Sequence, residues 1–262
     1  MAELLESSQL TFAYDDRPVV RDVALTLRAG EVVALFGPNG SGKSTLIQLL
    51  LGTLRGRGAN RGAIEWNGRP IESIRRRDLA RLVAYLPQSP TFDAGQTVAD
   101  VLRLGRLPYW GAFGVESQRD AHVVEAVAAQ LELSGVVHRR MDELSGGQRQ
   151  RVFVGRCLAQ EPKALLLDEP STFLDLRHQL DLHQLLRKLA REQGIGVLMA
   201  SHDLNFTALH ADRAVLLHEG AKVADGPPND VLEPELLERV YGVAMRRVEV
   251  DDVSHLVVTR SL

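Results

Sequence analysis

The amino-acid sequence predicts an α/β fold in which a largely parallel sheet, covered on both faces, is preceded by antiparallel strands and interrupted by a helical insertion. Three observations carry this. Short, nearly all-apolar runs occur at Val32-Val33-Ala34-Leu35-Phe36, Ala164-Leu165-Leu166-Leu167 and Gly196-Val197-Leu198-Met199-Ala200, each ending in a glycine-rich or acidic turn that leads into helical pattern. Strands buried on both faces read this way. Residues 9 to 33 instead alternate and turn at Asp15-Asp16, the pattern of an antiparallel pair. From about Ser89 to Ala159 β-like runs are few, and apolar residues recur at spacings of three and four, as from Arg119 to Leu131.

Taken in order, residues 1–88 and 160–240 form the core with its antiparallel β subdomain, 89–159 the inserted helical subdomain, and 241–262 a small strand-rich appendage. After Asp203 come a further apolar strand at Ala214-Val215-Leu216-Leu217, a turn at Glu219-Gly220, and a helix from about Pro234 to Tyr241. No internal repeat or low-complexity linker is visible.

At 262 residues, 45% hydrophobic and 25% charged, the chain can bury a substantial core. Its net charge of -3 balances 31 basic against 34 acidic residues, and Arg75-Arg76-Arg77 has no aromatic neighbours on which bases could stack, so nucleic-acid binding is not expected. Cys157 is the only cysteine, which excludes an internal disulfide and reads as a small buried hydrophobe. The start, Met-Ala-Glu-Leu-Leu-Glu, lacks the basic and apolar regions of a signal peptide, and no apolar run approaches membrane-spanning length. The chain is therefore expected neither to cross a membrane nor to be secreted by that route.

Gly37-Pro38-Asn39-Gly40-Ser41-Gly42-Lys43-Ser44-Thr45 matches the phosphate-binding loop, directly after a strand and before a helix that starts near Thr45. Glycines let the backbone N–H groups close around phosphates, and the helix N-terminus adds a favourable dipole. Lys43 supplies a point charge and Ser44 a hydroxyl ligand for Mg²⁺. Asp168 and Glu169 end an apolar strand, where adjacent side chains point to opposite sides and can hold separate tasks. Asp168 suits the water shell of Mg²⁺, and Glu169 the attacking water.

Those two motifs are shared by many nucleotide hydrolases. Leu144-Ser145-Gly146-Gly147-Gln148, followed by Arg149-Gln150-Arg151, is far more specific: a fixed five-residue string arises by chance in roughly one such chain in ten thousand. Ser145 reads as an N-cap, and Gly146 and Gly147 allow close approach at a helix N-terminus, a second anion site.

With these strings the sequence resembles the ATP-binding-cassette (ABC) ATPases over essentially its whole length. The resemblance implies a P-loop NTPase cassette with a RecA-like core, and two copies packed head to tail, so that Ser145, Gly146, Gly147 and Gln148 of each contact ATP held by the other. It implies further roles residue by residue. Tyr14 matches the aromatic that stacks on adenine, with Val20 beside it. Gln88, in Leu86-Pro87-Gln88, matches the glutamine that senses Mg²⁺ and water. His202 matches the histidine that contacts the γ-phosphate, and Asp175 the aspartate that crosses the dimer interface. Phe173 departs from the family pattern, in which a small residue is common. No histidine pair has metal-ligand spacing, so Mg²⁺ is the only metal expected, with ATP as the nucleotide.

Outside the ATP site, Thr97 to Leu102, Leu104-Gly105-Arg106-Leu107-Pro108, Leu174 to Gln179 and Ala224-Asp225-Gly226-Pro227-Pro228 resemble ATPases serving iron-siderophore, haem and vitamin B12 importers. This implies a polytopic membrane permease as partner, a periplasmic or extracellular substrate-binding protein reached through it, and a peripheral location on the cytoplasmic face of the membrane. Residues from about Ser89 to Phe113, with Tyr109, Trp110 and Phe113, either form the docking surface for that permease or pack within the helical subdomain. Exporter subunits share the ATP-site motifs. ABC ATPases acting on DNA or ribosomes usually carry long coiled coils or two cassettes, and neither is visible here. A regulator without turnover would not need Glu169 and His202.

Overall fold

The computed structural model describes residues 2–15, 17–54, 59–111, 114–172, 174–250 and 253–259; Asp16, Phe113 and Phe173 lie outside them. Strands β1 (Glu3–Tyr14) and β2 (Arg17–Arg28) pair antiparallel, beginning earlier than the alternation from residue 9 implies. Strand β3 (Val32–Phe36) leads through the glycine-rich loop into α1 (Lys43–Leu50), which starts two residues before Thr45. Strands β4 (Ala59–Trp66) and β5 (Arg69–Pro70) extend the antiparallel sheet to the order β2-β1-β4-β5.

Helix α2 (Arg76–Leu82) and β6 (Val83–Leu86) precede the helical stretch of α3 (Val98–Leu104), α4 (Gln118–Gln130) and α5 (Gly146–Leu158). Each of these three helices opens on a capping box, with Thr97, Ser117 and Ser145 as the N-caps. Among the described residues of 89–159 the only β-pairing is an isolated bridge between Thr97 and Arg140.

The chain then alternates through β7 (Ala164–Asp168), α6 (Leu176–Gln193), β8 (Gly196–Ala200), α7 (Leu204–Ala208), β9 (Arg213–His218) and β10 (Ala221–Gly226). It closes with α8 (Pro228–Val231), α9 (Pro234–Tyr241) and a hairpin of β11 (Met245–Val250) and β12 (Val253–Val258). The central sheet runs β10-β9-β3-β8-β7-β6, parallel from β9 to β6 with β10 antiparallel at the edge.

The apolar strands serve two cores at once. In β3, Val32, Ala34 and Phe36 face the core built with α3 to α6 and α9, while Val33 and Leu35 face the core shared with the antiparallel sheet and α1. Leu165 and Leu167 of β7 and Val197 and Met199 of β8 divide from their neighbours in the same way. Double-sided burial is why these strands carry no polar alternation. Among the described residues no helix is long and apolar enough to cross a membrane.

Candidate active site

Strands β3, β8 and β7 are adjacent in the sheet, so their carboxyl ends place three loops side by side: Gly37 to Gly42, Ser201 to Asp203, and the turn after Asp168. Open α/β sheets bind ligands at this edge.

In the first loop, a Cβ at Gly37 would lie 2.4 Å from the Leu217 carbonyl oxygen, and one at Gly42, where φ is 100°, would lie 2.6 Å from that of Val19. Side chains are excluded there, and the chain curls tightly enough for Lys43 to reach back over it. The Lys43 ammonium is buried and donates to the carbonyls of Gly37 at 2.8 Å and Pro38 at 3.2 Å. Burial lowers its pKa, opposed by the charges of Glu169 and Asp168. Asn39 and Gly40 are exposed at the loop tip; Ser41 is buried, and its Oγ has no partner. Ser44 and Thr45 follow in the first turn of α1, half-buried.

Asp168 ends β7, and its carboxylate bonds the Ser44 hydroxyl. Its other constraint is burial, which raises its pKa, and Oδ1 has no partner. A buried carboxylate oxygen left open beside a hydroxyl is a hard-donor arrangement suited to a small divalent cation.

Glu169 departs from the expected geometry. It is not a strand residue with its side chain opposite that of Asp168; its φ of 50° turns the chain sharply, while its N–H still donates to the Ala200 carbonyl at 3.1 Å. The turn buries the side chain between two other loops. Its Oε2 accepts from Gln88 Nε2 at 2.7 Å and from the Thr172 hydroxyl at 3.3 Å, and its Oε1 meets His202 Nε2. Gln88, Glu169 and His202, from three separate segments, thus form one connected group. The left-handed backbone costs on the order of 1 kcal/mol or more and persists because these contacts hold it.

Tyr14 is 44% exposed and packs perpendicular to Phe12 with ring centroids 4.8 Å apart. Val20 corrects the sequence reading: it is fully buried in the core beneath Gly42, so it is closed to a nucleotide base. Val19, the preceding residue of the strand, is half-buried.

Ser145 caps α5, its hydroxyl accepting from the Gln148 N–H at 3.2 Å while its own N–H donates to Gln148 Oε1 at 3.1 Å. Gly146 faces open space, but a Cβ at Gly147 would lie 2.1 Å from the His178 ring. His178 is in turn held by Asp175, the N-cap of α6, whose Oδ1 lies 2.7 Å from His178 Nδ1 and accepts the His178 N–H at 2.9 Å. None of the hydrogen bonds among the described residues joins Ser145 to Gln148 with the Gly37 to Thr45 loop. Thr172 was not singled out by sequence, and His178 entered only within the string from Leu174 to Gln179; the Glu169 turn and the contact of His178 with Gly147 show what they touch.

The family model described as "ABC transporter" matches residues 20–172. The chain belongs to the ABC transporter family. It carries that family's ATP-binding cassette fold and hydrolyses ATP. An ABC relative, the iron(3+)-hydroxamate import ATP-binding protein FhuC of Bacillus subtilis (strain 168), is 36% identical over 91% of this chain and 88% of its own length. The hemin import ATP-binding protein HmuV of Burkholderia thailandensis is 39% identical, over 97% of this chain and 99% of its own. Among solved structures, a metal-chelate type ABC transporter in an inward-facing conformation superposes with a TM-score of 0.85 at 28% identity, covering 98% of each chain.

Proposed function

We propose that this ABC ATPase energises a membrane importer for a metal chelate of the iron-siderophore, haem or cobalamin kind, working as a head-to-tail dimer on the cytoplasmic face of a polytopic permease fed by an external binding protein. The observation that carries the reading is near full-length similarity to import ATP-binding proteins for iron(3+)-hydroxamate and hemin.

The site supports the chemistry. Adenine stacks on Tyr14, with Val19 rather than Val20 nearby, and the β- and γ-phosphates enter the loop from Asn39 to Thr45, where they take over the Lys43 donors now spent on Gly37 and Pro38. Ser44, Asp168 and Gln88 are the residues that would hold Mg²⁺, which supplies charge neutralisation for the transferring phosphoryl group. The fit rests on the open Asp168 oxygen beside Ser44.

Glu169 orients the attacking water in line with the γ-phosphorus. The water oxygen forms the new P–O bond, the bond to the ADP oxygen breaks, and ADP leaves with hydrogen phosphate, which keeps one of the water's hydrogens while the other is released as a proton. In the resting chain Gln88 and His202 occupy Glu169. His202 turning toward a γ-phosphate frees one carboxylate oxygen for water. Ser145 to Gln148 and Asp175 complete the site from the second copy, so ATP stabilises the closed dimer and hydrolysis releases it.

For the permease, Tyr109 is a poor contact residue. The guanidinium groups of Arg106 and Arg81 lie over its ring at 3.9 and 4.8 Å, and its hydroxyl donates to the Gln160 carbonyl at 2.8 Å. A groove of about 370 Å³, lined by Leu51, Ile71, Ile74, Leu79, Val83 and Tyr85, is a better docking site, and it touches β6, the strand leading to Gln88.

The test is co-purification of the tagged chain from membranes, with ATP turnover measured with and without the recovered partner. A polytopic permease that changes turnover is the expected result. Recovery only with ribosomes or DNA, with hydrolysis intact, would leave the ATPase and remove the transport function.

A further inference from the structure

The C-terminal hairpin lies outside the nucleotide site yet is fastened to it. Where β12 passes α7, the Asn205 side chain meets the Leu256 backbone at two points: Nδ2 donates to the carbonyl at 2.9 Å, and Oδ1 accepts the N–H at 2.7 Å. A primary amide used this way imitates a strand partner, since it offers one donor and one acceptor side by side. Leu256 and Met245 pack, partly buried, on the same core as Leu204 and Ala208.

Helix α7 has five residues, too few to hold a conformation alone. Its anchors are the residues on either side of His202. Asp203 caps it, accepting the Phe206 N–H at 2.8 Å. On the other side, the buried hydroxyls of Ser201 and Thr207 lie 2.7 Å apart, and Ser201 Oγ also accepts the Asp203 N–H at 3.1 Å. Both neighbours of His202 are thus tied to α7, and a shift of α7 moves the imidazole against Glu169.

We propose that the C-terminal hairpin positions the switch histidine for ATP hydrolysis, with Asn205 as the positioning residue that holds α7 and, through it, His202. The proposal rests on the reading of His202 as the γ-phosphate contact.

The experiment uses the full chain, with its permease if turnover requires it, and compares Asn205→Ala, Asn205→Asp, His202→Ala and the Asn205→Ala/His202→Ala double variant. Readouts are kcat and KM for ATP, single-turnover rates for the slow variants, nucleotide affinity, and the urea midpoint. Asn205→Ala is expected to lower kcat about tenfold, short of the ~100-fold that a 1 Å misplacement can cost, with KM and nucleotide affinity unchanged. Asn205→Asp keeps the acceptor for the Leu256 N–H but sets a carboxylate oxygen against the Leu256 carbonyl, two acceptors face to face, and is expected to lower kcat at least as far as Asn205→Ala. In the His202→Ala background, Asn205→Ala adds nothing further.

Two results overturn the proposal: kcat unchanged in Asn205→Ala, or reduced only in step with the folded fraction, and a loss that multiplies fully with that of His202→Ala. Unimpaired hydrolysis in His202→Ala is a different failure, that of the underlying assignment of the histidine.

Discussion

Arg106 ties the helical region together, and its removal has a calculable effect. The guanidinium is 0% exposed, with Nε on Asp120 Oδ1 at 2.8 Å, and Nη1 on the Ala159 carbonyl at 2.6 Å and Glu161 Oε2 at 2.8 Å. It thereby joins the end of α3, the first turn of α4 and the end of α5. Asp120 is nearly as buried; burial works to raise its pKa, but bonds from Ser117 and Arg106 outweigh this and hold the carboxyl below its usual range. Arg106→Ala leaves that carboxylate buried without its cation, a change that costs about 3–5 kcal/mol. Glu161 adds little to the sum, because it is 37% exposed and retains Arg119 at 3.3 Å. Urea unfolding of Arg106→Ala, Asp120→Asn and the Arg106→Ala/Asp120→Asn double variant measures this, with a coupling of about 0.5–3 kcal/mol expected between the two sites. A loss below about 1 kcal/mol in Arg106→Ala, or additive single effects, would refute the idea that the pair locks these helices.

Two further outcomes follow from particular contacts. Gly147→Ala places a methyl group where the His178 ring stands, so ATP turnover should fall, and His178→Ala in the same chain should restore part of it; full turnover in Gly147→Ala would contradict the close packing. His183 is buried, and burial followed by the neighbouring His210 lowers its pKa from 6.5 to about 4. The unfolded chain therefore binds more protons between those values, and stability present above pH 6.5 is lost toward and below pH 4, by about 3 kcal/mol. Urea midpoints of His183→Leu should depend less on pH across that window than those of the unsubstituted chain, and equal slopes would rule out this source.

The central strands were legible because double-sided burial leaves an unmistakable apolar run, and the end loops because their residues must be of fixed type. Ser145 at the N-cap and the helix from Pro234 to Tyr241 follow from the same local logic. Val20 was carried over from the family resemblance, and which face it takes in this chain depends on register: β1 and β2 slip between Leu10 and Phe12 and again before Ala13. The backbone turn at Glu169 has no signal in residue type, since glutamate does not favour positive φ. Tyr109 and the Asn205 to Leu256 pairing depend on partners 51 residues away in sequence, where local pattern carries no information.

The connected group of Gln88, Glu169 and His202 makes ATP turnover the direct measure of the whole account. In Glu169→Gln, measured beside the unsubstituted chain with its permease, nucleotide affinity should persist while hydrolysis falls about 10²–10⁴-fold and the closed dimer accumulates. Turnover near the unsubstituted rate would contradict the assignment of Glu169 to the attacking water.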